Sequence, residues 1–225
     1  MAAEFARVRE DLLQGIAEDA TGRLSNKWYT ENASLYEKSM KPFYRFHEEC
    51  LKIFKQKVVR KDCTIIDFAM GTGGLGEMLR DAGYTGKIDG IDRNTAMLEI
   101  AKSKNIYRNI WNGDIGSDKI ENIDDDAYDH GVAGSCVGRG QIEFTSLPTL
   151  IRTIKLGGYL VWTLPAHQTE YEECSLEALK KHCDRWNSEG LCHLALCIPA
   201  MHTDTEDGYV IALQRGRKED QQVVH

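Results

Sequence analysis

Asp67-Phe68-Ala69-Met70-Gly71-Thr72-Gly73-Gly74-Leu75-Gly76 is the stretch on which the reading of this chain turns. It completes a short apolar run over residues 64–68 and precedes a helical pattern carried by Leu75, Met78 and Leu79. A strand that meets a glycine-rich turn and then a helix makes a cradle for an anionic group. Glycines let the backbone approach a ligand closely, and the first N–H groups of the helix have no partner within it. Gly71, Gly73 and Gly76 satisfy Gly-x-Gly-x-x-Gly, a dinucleotide fingerprint that carries little weight alone.

The alternation of strand and helix continues beyond this turn. Residues 87–92 read as a second strand, with a helix around Met97, Leu98 and Ala101 behind it. A third strand over 106–111 closes at Gly113-Asp114-Ile115, and a fourth covers 128–134. Leu147, Leu150, Ile151 and Ile154 line a helix, and a fifth strand follows at 159–164. A charged helix over 170–188 precedes strands at 191–198 and 209–213, joined by an acidic link. This order predicts an α/β fold with a doubly wound, mostly parallel sheet. Upstream, Phe5, Val8, Leu12 and Ile16 predict an amphipathic helix over 4–19, interrupted at Gly22. Residues 25–41 are polar with Trp28, Tyr29 and Tyr36 interleaved, and Pro42 suits the first turn of a helix carrying Phe43, Phe46, Cys50, Ile53 and Phe54. The expected organisation is a helical N-terminal extension over 1–60, a sheet domain over 61–218 and a polar tail over 219–225.

Composition excludes several classes. The 225 residues suit one α/β domain, and 42% hydrophobic with 28% charged residues excludes disorder throughout. Lys and Arg total 28 against 35 Asp and Glu, a net charge of −7 that repels a phosphate backbone, so no nucleic-acid partner is expected. The densest basic run, 215–218, is answered at once by Glu219 and Asp220, and the acidic cluster over 121–129 reads as a solvated loop. No run of about 18 apolar residues exists to cross a membrane. The N-terminus has charges where a signal peptide has its apolar core, and the C-terminus carries no lipidation signal. Seven cysteines without a Cys-x-x-Cys pair fit reduced, buried thiols in a cytoplasmic protein, and neither a disulfide frame nor a metal site is expected.

Two further carboxylates give the glycine turn meaning. Asp92 lies 21 residues after Gly71 at a strand end, where a carboxylate accepts both hydroxyls of a ribose. Asp114 closes the third strand beside the apolar Ile115, an acceptor and a wall for an adenine. Asp67, Asp92 and Asp114 together describe a site for an adenosine with an anionic tail. NAD and S-adenosylmethionine both meet that description. Asp67, four residues before Gly71, would oppose a pyrophosphate but suits a sulfonium and an ammonium. The glycine-turn strand also starts late, at residue 64, and no Tyr-x-x-x-Lys pair occurs. These observations favour a methyltransferase over an NAD(P)-dependent oxidoreductase.

At these motifs the chain resembles a class I S-adenosylmethionine-dependent methyltransferase. More closely, it is similar to the methyltransferase-like family named after the Williams–Beuren syndrome chromosome region. The carriers are Trp28 to Tyr36, the glycine turn, Gly90-Ile91-Asp92 with Met97-Leu98, residues 134–142, and Leu156-Gly157-Gly158-Tyr159-Leu160, where Leu156 replaces the family's proline. The resemblance implies a Rossmann-like, seven-stranded, mostly parallel sheet with an antiparallel last strand and S-adenosylmethionine as cofactor. It also implies that Gly71, Thr72 and Gly73 cradle the methionine part, with Asp67 near its ammonium. Asp92 would bind the ribose, Arg93 and Met97 would flank the adenine, and Asp114 would take the adenine amine over Ile115. Ser135 and its neighbours would close on the methionine part, and Trp28 and Tyr36 would form a lid. Gln141 stands where related sequences often carry a histidine.

Methyl transfer is an in-line displacement, and a base is needed only if the acceptor must lose a proton. His167 is the first catalytic candidate, because Pro165-Ala166 ends the fifth strand just before it, at the edge where ligands bind. Gln141 is the second; Ser135, Arg139, Glu170 and His202 lie on the same side. The expected acceptor is a small molecule, with a protein side chain next and a non-catalytic, cofactor-binding partner subunit third. The sequence leaves the oligomeric state open.

Overall fold

The structure is a computed structural model that describes residues 23–116 and 119–218. The expected helix over 4–19, its break at Gly22 and the tail over 219–225 lie outside the described residues. The polar segment that follows is an 18-residue helix, α1 (Arg23–Met40). Pro42 falls in the turn after it, and α2 (Phe46–Lys57) begins four residues later. The glycine turn joins β1 (Ile65–Phe68) to α3 (Gly74–Asp81), and β2 (Ile88–Asp92) is followed by α4 (Thr95–Ser103). Then come β3 (Ile110–Asn112), β4 (His130–Ala133), α5 (Leu147–Arg152) and β5 (Tyr159–Pro165). The chain ends in α6 (Leu176–Ser188), β6 (Cys192–Met201) and β7 (Asp207–Arg215).

These strands form one seven-stranded sheet in the order β3-β2-β1-β4-β5-β7-β6. The first five run parallel, and β7 lies antiparallel between β5 and β6. This is the seven-stranded, mostly parallel sheet with an antiparallel last strand that the resemblance implies. The order reverses between β1 and β4, which opens a crevice at their carboxyl ends. Strand alternation divides the core. Ile66, Phe68 and Ile91 pack with Leu150, Leu179 and Trp186 on one face, whereas Ile65, Ile88 and Val132 pack with Cys50, Ile53, Phe54 and Leu79 on the other. Each fully buried Ile or Phe side chain contributes about 1.5–3 kcal/mol.

Two differences from the sequence reading have identifiable causes. The third strand is shorter than expected because residues 106–109 form a loop whose side chains reach buried carboxylates. Tyr107 donates its hydroxyl to Asp67 Oδ2 at 2.7 Å, and Arg108 pairs with the fully buried Asp89. The charged helix starts later than expected because two 3-10 turns, Ala166–Glu170 and Glu172–Cys174, precede it, and Ser175 caps it by accepting the Ala178 N–H. The cysteines carry no disulfide; six are buried and Cys197 is half-buried. No helix among the described residues is long and apolar enough to cross a membrane.

Candidate functional site

The glycine turn is held by left-handed backbone at Ala69, Gly71 and Gly73, with φ of 48°, 54° and 81°. A Cβ at Gly73 would lie 2.9 Å from the Tyr107 ring, so a side chain is excluded there by packing as well as by φ. At Gly71 a Cβ would meet nothing within 4 Å, because this residue faces open space. That space is a cavity of about 950 Å³, solvent at its mouth included, at the carboxyl ends of β1, β2 and β4.

Asp92 stands at its edge with an ordered carboxylate. Gly71 N–H donates to Oδ2 and Asn94 N–H donates to Oδ1, each at 2.8 Å. Each oxygen keeps a further acceptor position for a ligand hydroxyl. Burial raises the Asp92 pKa, and these two N–H groups oppose the shift. Met97, Ile115 and Ile142 supply apolar walls, and exposed Asp114 lies next to Ile115, whose N–H it accepts at 2.8 Å. Across the crevice, Ser135 has φ of 58°, and its N–H donates to Thr163 Oγ1. Its hydroxyl is buried and has no hydrogen-bond partner within the described residues. A buried hydroxyl without a partner beside a polar cavity calls for a ligand's polar group. A carboxylate with free acceptor positions, apolar walls and an unsatisfied hydroxyl opposite a glycine cradle fit S-adenosylmethionine.

Of the residues expected at the site, Tyr36, Gly71, Thr72, Asp92, Arg93, Met97, Asp114, Ile115, Ser135 and Gln141 line this cavity. Trp28, Asp67, Gly73 and His167 do not. Trp28 lies half-buried on α1, edge-on to Tyr29, and it is Tyr29 that reaches the cavity. The misplacement of Asp67 follows from register. Asp67 pairs with Gly90, so it sits two positions deeper in the sheet than Asp92 and under α3. There its carboxyl is pushed up to about 7 by burial, against the Tyr107 hydrogen bond. A half-neutralised carboxyl behind the turn is not the group that repels a pyrophosphate.

Sequence reasoning missed several cavity residues. His47 on α2 lies one position off that helix's apolar stripe, so periodicity gave it no weight. It lines the cavity against Gly74 and Gly134, where a Cβ would lie 2.8 Å from its ring. Burial, then the charge of Lys104, lowers its pKa to about 4, so it is neutral near pH 7. Asn94 caps α4 by accepting the Met97 N–H, and its amide also reaches Asn26 and Thr30 at 2.9–3.0 Å. These contacts, with the Lys104–Glu37 pair at 2.5 Å, dock the polar helix α1 beside the cavity. The Asn94 amide linking α4 to α1 leaves no trace in linear spacing.

The other half of the crevice is arranged differently. His167 does follow β5, but its Nδ1 faces Glu206 Oε1 and its Nε2 lies 3.2 Å from Gln168 Nε2. His202 Nδ1 lies 2.8 Å from Glu206 Oε2. Burial would raise the Glu206 pKa, but the two histidines outweigh it and hold the carboxyl well below the usual range. Gln168 Oε1 in turn accepts the Arg139 N–H at 2.8 Å.

Known methyltransferases share this fold. Residues 39–191 match the model of the ubiE/COQ5 methyltransferase family. No curated protein matches the chain at a significant level. The fold is similar to a chain of the complex between the Haloferax volcanii Trm112 methyltransferase activator and a methyltransferase, with a TM-score of 0.60 and 16% identity over 83% of this chain and 95% of that one. It is also similar to a TehB-like SAM-dependent methyltransferase from Corynebacterium glutamicum (TM-score 0.58, 16% identity, 83% and 98% covered). A SAM-dependent methyltransferase from Aquifex aeolicus is a third relative in fold (0.54, 15% identity, 76% and 92%).

Proposed function

The chain belongs to the ubiE/COQ5 methyltransferase family, and we propose that it uses S-adenosylmethionine to methylate a small-molecule acceptor inside the described cavity. When bound, the cofactor supplies a methyl group on a sulfonium that is itself the leaving group. Asp92 holds the ribose hydroxyls. Arg93, Met97, Asp114 and Ile115 hold the adenine, while Gly71, Thr72 and the Ser135 hydroxyl hold the methionine part, with Gly73 shaping the turn behind them. The single observation that carries this reading is the Asp92 carboxylate, oriented by the Gly71 and Asn94 N–H groups at the rim of a slot walled by Met97, Ile115 and Ile142.

Tyr29, Tyr36 and Asn26 of α1 wall the cavity and exclude water from the reacting centre, which strengthens every polar interaction within it. His47 and Gln141 also line the cavity, and both are neutral and orient an acceptor by hydrogen bonding. Gln141 cannot take a proton, and His47, with a pKa near 4, is a weak base. His167 stands outside the cavity with both ring nitrogens engaged. The set favours an acceptor that is nucleophilic without a strong enzyme base, so that positioning supplies the rate.

The test is incubation of the full chain with methyl-labelled S-adenosylmethionine and a fractionated cell extract. Label entering the low-molecular-weight fraction supports this reading. Label entering only protein contradicts it in favour of a side-chain acceptor, and label entering neither points to a cofactor-binding partner subunit.

A further inference from the structure

We propose that His167, His202 and Glu206 form a transition-metal site suited to Zn²⁺, separate from the cofactor cavity. The three donors come from two places, the segment after β5 and the turn joining β6 to β7. Their ligand atoms all lie within 4.8 Å of one another. Both imidazoles present Nδ1 to the same carboxylate, one to each oxygen. Among the described residues no Lys or Arg pairs with Glu206; its ion-pair partners are the two histidines.

The surroundings hold this geometry. His202 is buried, with its ring 4.4 Å from Phe46 and 5.1 Å from Tyr44. Its N–H donates to the Glu206 carbonyl at 2.8 Å, and its own carbonyl accepts the Arg45 N–H at 2.9 Å. The turn that carries two of the donors is therefore fixed to itself and to the start of α2. The His167 side chain is one-third exposed, which leaves an approach from solvent and room for a water ligand. Two imidazole nitrogens and one carboxylate oxygen with a solvent position form a recurrent zinc donor set, and the imidazoles disfavour Mg²⁺ and Ca²⁺.

Binding through the two Nδ1 lone pairs requires each ring to carry its proton on Nε2. At His167 the new Nε2–H meets the Gln168 amide, now 3.2 Å away. A half-turn of that amide presents its oxygen as the outer partner that metal-bound histidines usually have. The same rotation releases the Arg139 N–H that this oxygen now holds. The site thus reaches the loop that brings Cys136, Gln141 and Ile142 to the cofactor cavity.

The experiment is a Co²⁺ titration of the full, chelator-treated chain, followed by visible absorption, with Zn²⁺ added as competitor. The expected result is one equivalent of Co²⁺ with the visible bands of a low-symmetry nitrogen and oxygen site, no thiolate charge-transfer band, and displacement by Zn²⁺. His167→Ala, at a partly exposed position, and the isosteric Glu206→Gln are each expected to weaken binding at least tenfold. Asp92→Ala leaves it unchanged. Zn²⁺ at a hundredfold excess over Kd is expected to raise the wild-type melting temperature by about 5–10 °C. The proposal is overturned if the wild type takes up no Co²⁺, if both variants bind as the wild type does, or if the bound ion shows thiolate bands.

Discussion

The two halves of the sheet's carboxyl edge are both rich in polar side chains, and they use them in opposite ways. At β1 and β2, Asp92 is oriented by backbone N–H groups yet retains acceptor capacity, and Gly71 faces open space. At β5 and the β6–β7 turn, Glu206, His167, Gln168 and the Arg139 N–H satisfy one another in a chain. The lesson is that a small-molecule site is marked less by how many polar groups converge than by how many remain unspent. Ser135, with its partnerless buried hydroxyl, belongs to the first kind, although it sits beyond β4.

That contrast breaks most directly at Gly71. A side chain there would occupy the cavity and would also have to adopt φ of 54°. Gly71→Leu is expected to lower affinity for S-adenosylhomocysteine more than ~100-fold in calorimetry, with a stability loss of about 1–2 kcal/mol from the left-handed backbone. Retained affinity would mean that the open space is not the ligand's.

Asp92→Ala sharpens the same comparison. Charge-assisted bonds to two hydroxyls are worth roughly 1.5–3 kcal/mol, so affinity should fall about tenfold to a hundredfold while the circular dichroism spectrum is unchanged. An unaltered Kd in the folded variant removes the ribose assignment.

Asp67 provides the smallest effect on binding and a separate effect on stability. Because it lies under α3 and outside the cavity, Asp67→Asn should change cofactor affinity by less than about threefold, an effect small beside that of a charge-assisted contact. Its carboxyl rises from an ordinary 3.8 to about 7 in the folded chain. Between those values the native state binds more protons than the unfolded chain, so stability is lost as pH rises through this window. Above pH 7 the wild type carries the whole cost, on the order of 2–4 kcal/mol. The advantage of Asp67→Asn over wild type in urea unfolding should therefore be absent near pH 4 and largest near pH 8. A pH-independent difference would contradict the buried assignment.

These three residues also show how far the sequence could be read. The alternation of apolar runs with Gly turns was enough for the doubly wound sheet, because strand and helix periods are local. Asp92 and Asp114 were legible because Asp92 ends β2 and Asp114 follows the end of β3 by two residues, both at the carboxyl edge of the sheet. Asp67 read as their equal, and only the Asp67–Gly90 register shows that it lies two positions deeper. The polar composition of α1 concealed a helix, since its docking depends on Asn94 and Lys104, which lie far from it in sequence. His167 and His202 stand 35 positions apart, on opposite sides of α6, and no linear spacing joins them to Glu206.

The central claim is that the cavity beside the glycine turn is built for S-adenosylmethionine. Its most direct test is parallel calorimetric titration of the full chain with S-adenosylhomocysteine and with NAD. One equivalent of S-adenosylhomocysteine is expected to bind, with no heat of binding from NAD. Saturable NAD binding with no response to S-adenosylhomocysteine would contradict it.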